Sequence, residues 1–168
     1  MKVINAPEIY AVQSDEIPCF MAGGLQRCEW HSRFLTRMHS HQNSHLVIFN
    51  PKRDKFDLFD LKASIEQIEW EFRYLNEFIG KPYIFSMYFD YSESDQPICF
   101  YELGRYVALL PHDSSIIVSY HPQFRRSLDV ETQVRLATNG TVIPRACSPE
   151  EHADRVQSEY NAIKSMLK

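Results

Sequence analysis

Short apolar runs rich in aromatic and β-branched residues recur along this chain, and a stretch of helical periodicity follows each one. The runs cover residues 17–22, 45–49, 83–89 and 115–120, and the helical stretches cover 30–38, 64–77, 98–110, 129–138 and 149–167. Strand and helix in alternation, with Gly, Asn-Pro and His-Pro as punctuation, predict an α/β fold. The expected architecture is a three-layer, doubly wound, mostly parallel sheet of flavodoxin-like or Rossmann-like type. Ser64 with Gln67 reads as a capping box for the second helix, and Ile65, Ile68, Trp70, Phe72 and Leu75 are its apolar members. Ser148 caps the last helix, with Pro149 at its first position. Residues 141–143 are a candidate last strand. Residues 1–16 fit the scheme poorly and suggest an added edge strand or arm on a single domain spanning 1–168.

A length of 168 residues allows one domain with a sizeable core. With 44% hydrophobic and 24% charged residues, the chain reads as globular rather than disordered. The net charge of -4, with Lys and Arg scattered, argues against a duplex nucleic-acid partner. No apolar run reaches membrane-spanning length, and no signal-peptide h-region opens the sequence, so neither a membrane partner nor export is expected. Cys19, Cys28, Cys99 and Cys147 form no CxxC pair; Cys19 and Cys99 lie in apolar runs and read as buried thiols. A reducing cytoplasm is the expected compartment.

The segment Pro97-Ile98-Cys99-Phe100-Tyr101-Glu102-Leu103-Gly104 carries the main chemical signal. A strand, a short acidic loop and a helix opening with a glutamate can aim one carboxylate at a ligand beyond the carboxyl ends of the strands. Such a carboxylate serves as nucleophile or general base; the plainer reading is an acid favoured by the helix macrodipole. Gly104 is unfavourable inside a helix and suggests close packing. Gly23-Gly24 after the first strand is either a simple turn or the backbone rim of a pocket, and Gln26 beside it is either a ligand-binding amide or a loop residue. Asn50, Lys52 and Arg53 follow the second strand, where Arg suits a phosphate. Glu69 either faces the pocket or, with Glu66 and Arg73, forms a solvated face. Trp30, Tyr88 and Phe89 either sandwich a flat ring or pack the core. His31, His39, His41 and His45 lack tidy metal-ligand spacing. His121 ends the fourth strand and is a weak site candidate, and Asp129 reads as the N-cap of the helix after it.

Five segments taken in order resemble the nucleoside 2-deoxyribosyltransferase family, in particular its 2-deoxyribosyltransferase-like branch. They are Met21-Ala22-Gly23-Gly24-Leu25-Gln26, Phe49-Asn50-Pro51-Lys52-Arg53, Glu66-Gln67-Ile68-Glu69-Trp70-Glu71, the Glu102-Leu103-Gly104 segment, and His121-Pro122 through Arg126-Ser127-Leu128-Asp129-Val130-Glu131. The similarity runs from residue 18 to residue 136. It implies a flavodoxin-like fold and cleavage of an N-glycosidic bond of a 2'-deoxyribonucleoside or its 5'-monophosphate, with no metal or organic cofactor. The family nucleophile falls on Glu102. Glycosyl-enzyme formation and its resolution by a second base or by water parallel a retaining glycosidase. The family habit also implies a homo-oligomer.

The chain departs from the family at two places. Where members carry an aspartate at the start of the third strand, Gly80-Lys81-Pro82-Tyr83 has no acid. A second family aspartate, shortly before the glutamate, falls on Gln96, so Asp95 is the expected acid or sugar ligand. Gly23, Gly24, Gln26, Asn50, Arg53, Tyr88 and Glu69 complete the expected substrate site. The missing aspartate leaves open a nucleotide-binding or sensor module without turnover. A flavodoxin-type electron carrier fits poorly, because the first loop lacks a Ser/Thr-rich phosphate cradle.

Overall fold

A computed structural model describes residues 1–25, 28–53, 59–91, 95–109 and 115–167. Gln26 and the expected helix end at Leu110-Pro111 lie outside the described residues. The elements in chain order are β1 (Lys2–Asn5), β2 (Ile17–Gly23), α1 (Trp30–His39), β3 (Leu46–Asn50), α2 (Leu61–Glu77), β4 (Ile84–Phe89), α3 (Pro97–Leu109), β5 (Ser115–Tyr120), α4 (Ser127–Ala137), β6 (Arg145–Ala146) and α5 (Pro149–Met166). The sheet has six strands in the order β1-β3-β2-β4-β5-β6, and every pairing is parallel. The expected α/β class and three layers are present. The unassigned N-terminus supplies β1, an edge strand in register with β3 from Lys2↔Val47 to Asn5↔Asn50. The last strand is Arg145–Ala146 and not residues 141–143.

A parallel sheet must be covered on both faces. Successive side chains of β2 go to opposite layers. Phe20 and Ala22 pack with Trp70, Tyr74 and Leu75 of α2 and Leu103 of α3, whereas Cys19 and Met21 pack with Phe34 of α1 and Val156 of α5. Phe49, Trp70, Tyr74 and Phe78 form an aromatic cluster that seats α2 on the sheet; the Phe49 and Tyr74 rings stack at 4.2 Å. On the opposite face, buried His152 of α5 bonds Ser86 and Ser119, each at 2.8 Å, so both of its ring nitrogens are satisfied. All four cysteines are free and buried. Among the described residues no helix is long and apolar enough to cross a membrane.

Three sequence expectations are corrected. Helix α2 starts at Leu61, because Asp60 accepts hydrogen bonds from the amides of Lys62 and Ala63; Ser64 is an interior residue. Helix α4 starts at Ser127, so Asp129 lies in its first turn and accepts from Arg126 at 2.7 Å instead of capping. Gly104 is exposed, and a Cβ there would meet no atom within 4 Å, so close packing does not account for it. The Ser148–Glu151 capping box of α5 and its Pro149 are as expected.

Helix α2 carries two apolar stripes. Trp70, Tyr74 and Leu75 are buried, while Leu61, Ile65, Ile68 and Phe72 are exposed on the solvent side. The sequence reading merged the two.

Candidate active site

The chain runs from β2 to β3 on one side, then crosses back over β2 to reach β4. The strand order therefore reverses between β2 and β4, and a crevice opens beyond their carboxyl ends. A cavity of about 340 Å³ lies there, between α2 and α3. Its floor and rim come from Phe20, Ala22, Gly23 and Gly24. Ser64, Gln67, Ile68 and Glu71 descend from α2, and Gln96, Ile98, Cys99 and Glu102 rise from the start of α3.

The glycine pair is required by close approach. Gly23 has φ +150°, and a Cβ would sit 2.3 Å from the Tyr88 carbonyl oxygen and 2.7 Å from the Trp30 ring. At Gly24 a Cβ would fall 2.7 Å from Gln96 Oε1. The reason is a hydrogen bond: the Gly24 amide donates to Gln96 Oε1 at 3.0 Å, and Gln96 Nε2 donates to the Asp90 carbonyl at 2.8 Å. Gln96 thereby ties the end of β2 to the loop after β4. Its backbone is left-handed, with φ 51°, immediately before Pro97 begins α3. A non-glycine residue held in that region costs energy, and such strain concentrates at functional sites.

Two carboxyl groups face the cavity. Among the described residues, no protein group hydrogen-bonds either oxygen of Glu102. Glu71 Oε1 accepts from Gln67 Nε2 at 2.6 Å. That amide is oriented from behind: Gln67 Oε1 accepts from Arg53 Nε at 2.6 Å, and Nε2 also donates to the Pro51 carbonyl at 2.8 Å. Burial pushes the Glu102 carboxyl up to about 8, and the charge of Glu71 pushes the same way. Burial also raises Glu71, opposed by its bond from Gln67 and by the charge of Arg53. The cavity thus holds an under-solvated pair of like acids.

The structure brings together Glu102, Gly23 and Gly24 of the expected residues and places the other described ones elsewhere. Asp95 pairs with Arg125 at 2.6 Å and lines a separate groove between α3 and α4. Asn50 is buried and does not line the cavity, donating to Asn5 at 2.8 Å and accepting from the Lys52 amide at 3.1 Å. Arg53 supports Gln67 and pairs with Glu66 at 2.9 Å. Glu69 is on the exposed face of α2, since the helical period turns Gln67 and Glu71 inward instead. Tyr88 points to the α1/α5 layer, packs against Trp30 and donates to the Cys147 carbonyl at 2.8 Å, while Phe89 points to the other layer. These aromatic rings are core. The histidines are dispersed: His31 is buried beside Trp30, His41 bonds Asp154, His45 bonds Asp15, and His121 lies beside Tyr91.

Sequence reasoning missed Glu71, Gln67, Gln96 and Ser64. A signal for three of them existed: Ser64, Gln67 and Glu71 fall on one side of a helix, next to the Trp70–Tyr74 stripe that faces the sheet. No family model and no curated protein matches the chain.

The Glu102 carboxyl has a consequence for stability. Its folded pKa, about 8, lies above its ordinary 4.5, so the native state keeps a proton that the unfolded chain releases. That contribution is complete below pH 4.5 and is lost as pH rises through 8. Buried His31 and His152, held down at about 3, act oppositely, costing stability as pH falls through 6.5, so a Glu102 variant is compared with wild type at each pH. Chemical denaturation should show Glu102→Gln more stable than wild type by up to ~4 kcal/mol at pH 8 and nearly equal to it at pH 4.5. An equal difference at both pH values would contradict the buried, proton-holding carboxyl.

Proposed function

We propose that the cavity cleaves the N-glycosidic bond of a 2'-deoxyribonucleoside or its 5'-monophosphate, with Glu102 as nucleophile. The observation that carries this reading is a carboxyl whose two oxygens accept no hydrogen bond from the described residues, at the strand-order reversal, with a second carboxyl in the same cavity. The remaining lining suits a sugar and a base: Phe20, Ile68 and Ile98 offer apolar surface, and Gln67 and Ser64 offer hydrogen bonds. Resemblance to the nucleoside 2-deoxyribosyltransferases points the same way. Attack of Glu102 on the anomeric carbon breaks the bond to the base and leaves a glycosyl ester. A second base or water then resolves the ester through an oxocarbenium-like transition state. Neither step needs a metal or an organic cofactor.

We also read the outer stripe of α2 as a contact between two copies of the chain. Leu61, Ile65, Ile68 and Phe72 follow the four-three-four spacing of a coiled-coil seam, and all are more than half exposed. A twofold axis between Ile65 and Ile68 sets Lys62 of one copy opposite Glu69 of the other. Among the described residues neither side chain forms an ion pair. Ile68 also lines the cavity, so this contact would abut its mouth.

Chromatography of free base, with a panel of deoxyribonucleosides and their 5'-monophosphates, tests the first reading. Wild-type protein should release base, Glu102→Ala should be slower by at least ~1,000-fold, and an acceptor base distinguishes transfer from hydrolysis. Folded wild-type protein that releases no base would instead favour a binding module. For the second reading, light scattering should give a dimer for wild type, a weaker one for Lys62→Glu, and recovery for Lys62→Glu combined with Glu69→Lys. A monomeric wild type would refute the contact.

A further inference from the structure

We propose that Glu71 is the proton donor to the departing base, and that it and Glu102 share one proton when the site is ready to react. This rests on the reading of the cavity as an N-glycosidic site. Two helices bring the pair together, α2 carrying Glu71 and α3 carrying Glu102. The orientation of Glu71 is set by a relay. Arg53 Nε occupies Gln67 Oε1 at 2.6 Å, which turns Gln67 Nε2 toward Glu71 Oε1, also at 2.6 Å. No described protein group hydrogen-bonds Glu71 Oε2. An acid held by one oxygen with the other open is arranged to pass a proton to a ligand. Asp95, the acid expected from sequence, is tied to Arg125 in a different groove.

Electrostatics allow one negative charge at low cost, and a second is expensive. Glu71 faces Arg53 from the segment after β3, and Glu102 and Cys99 from α3. Glu102 acts in turn on Cys99, on Tyr83 just before β4 and on Tyr106 of its own helix, groups that burial keeps neutral. Arg53 is the one cation acting on the pair among the described residues. Two coupled carboxyls of this kind titrate as a unit, holding a single proton across the intermediate pH range. In the empty cavity Gln67 and Arg53 favour charge on Glu71. Positive charge building on the anomeric carbon beside Glu102 favours charge there, and the proton is then on Glu71.

In the first step a Glu102 oxygen bonds to C1' and the C1'–N bond breaks. Its electron pair stays on the base nitrogen, which takes the Glu71 proton. In the second step Glu71, now a carboxylate, removes a proton from water as the water oxygen bonds to C1'. The Glu102 ester bond breaks, and both groups return to their starting states. The same carboxyl serves as acid and then as base.

The test uses 2'-deoxyguanosine and its N7-methyl derivative, whose cationic base departs as a neutral molecule without receiving a proton. Glu71→Gln should lower kcat/KM for deoxyguanosine by at least ~100-fold and for the methylated nucleoside by less than ~10-fold. It should also remove the alkaline fall in the wild-type profile, which reports loss of the shared proton. Glu71→Asp, which keeps an acid, should recover part of the deoxyguanosine activity, and Glu102→Gln should lose both substrates. Equal losses on the two substrates in a Glu71→Gln protein that melts like wild type would overturn the assignment, as would no loss on either. Wild-type protein that cleaves neither nucleoside would overturn the reading of the cavity itself.

Discussion

The hydrogen bond from the Gly24 amide to the Gln96 side chain is the joint on which the cavity depends. It crosses the point where strand order reverses, fastening the end of β2 to the loop that leaves β4. Glycine at position 24 follows from it, since a side chain would collide with the Gln96 amide. So does the start of α3: Gln96 holds its left-handed backbone directly before Pro97, and the helix direction is set from there. Glu102, in the second turn of that helix, is thereby aimed into the crevice. The parallel sheet beneath is buried on both faces, so the crevice rim is the place where this architecture can present polar groups to a small ligand.

The second determinant is a carboxyl without a hydrogen-bond donor among the described residues. Ordinary folding would pair or hydrate such a group. Here Glu102 is partly buried, has no hydrogen bond from the described residues and shares its cavity with another acid, a combination that costs stability near neutral pH. Perturbed acids in a cleft mark candidate functional sites, although structural networks perturb acids too. The Arg33–Glu150 and Arg37–Asp154 pairs between α1 and α5 illustrate the structural kind: each carboxylate is held low by a partnered guanidinium at the surface. The cavity pair differs because it is held high and is open to a ligand.

Much of the fold was legible in the sequence, because apolar runs and helical periodicity register burial directly. The strand at 115–120, the Ser148 cap and the layered α/β plan all follow from local pattern. The lining of the candidate cavity was legible where local chemistry determined it, at Gly23, Gly24 and Glu102. It was illegible where side-chain direction decided the outcome. Glu69 and Glu71 differ only in helical phase, and the two apolar stripes of α2 obscured which side faces the sheet. Tyr88 differs from Met87 and Phe89 only in the face to which the strand pleat assigns it. Asp95 and Gln96 are adjacent, yet the left-handed turn sends one to a salt bridge and the other across the strand-order reversal. No single-sequence signal separates such neighbours, since three-dimensional packing fixes the phase.

A nucleophilic Glu102 bonds covalently to the sugar, and that ester can be trapped. A nucleoside carrying fluorine at C2' destabilises the positive charge on the sugar and slows breakdown of the glycosyl ester. Wild-type protein incubated with it, quenched in acid and read by peptide mass spectrometry should carry one fluorinated sugar on Glu102. Glu102→Gln should carry none. Base release with Glu102 unmodified, or the sugar found on Glu71, would contradict the account.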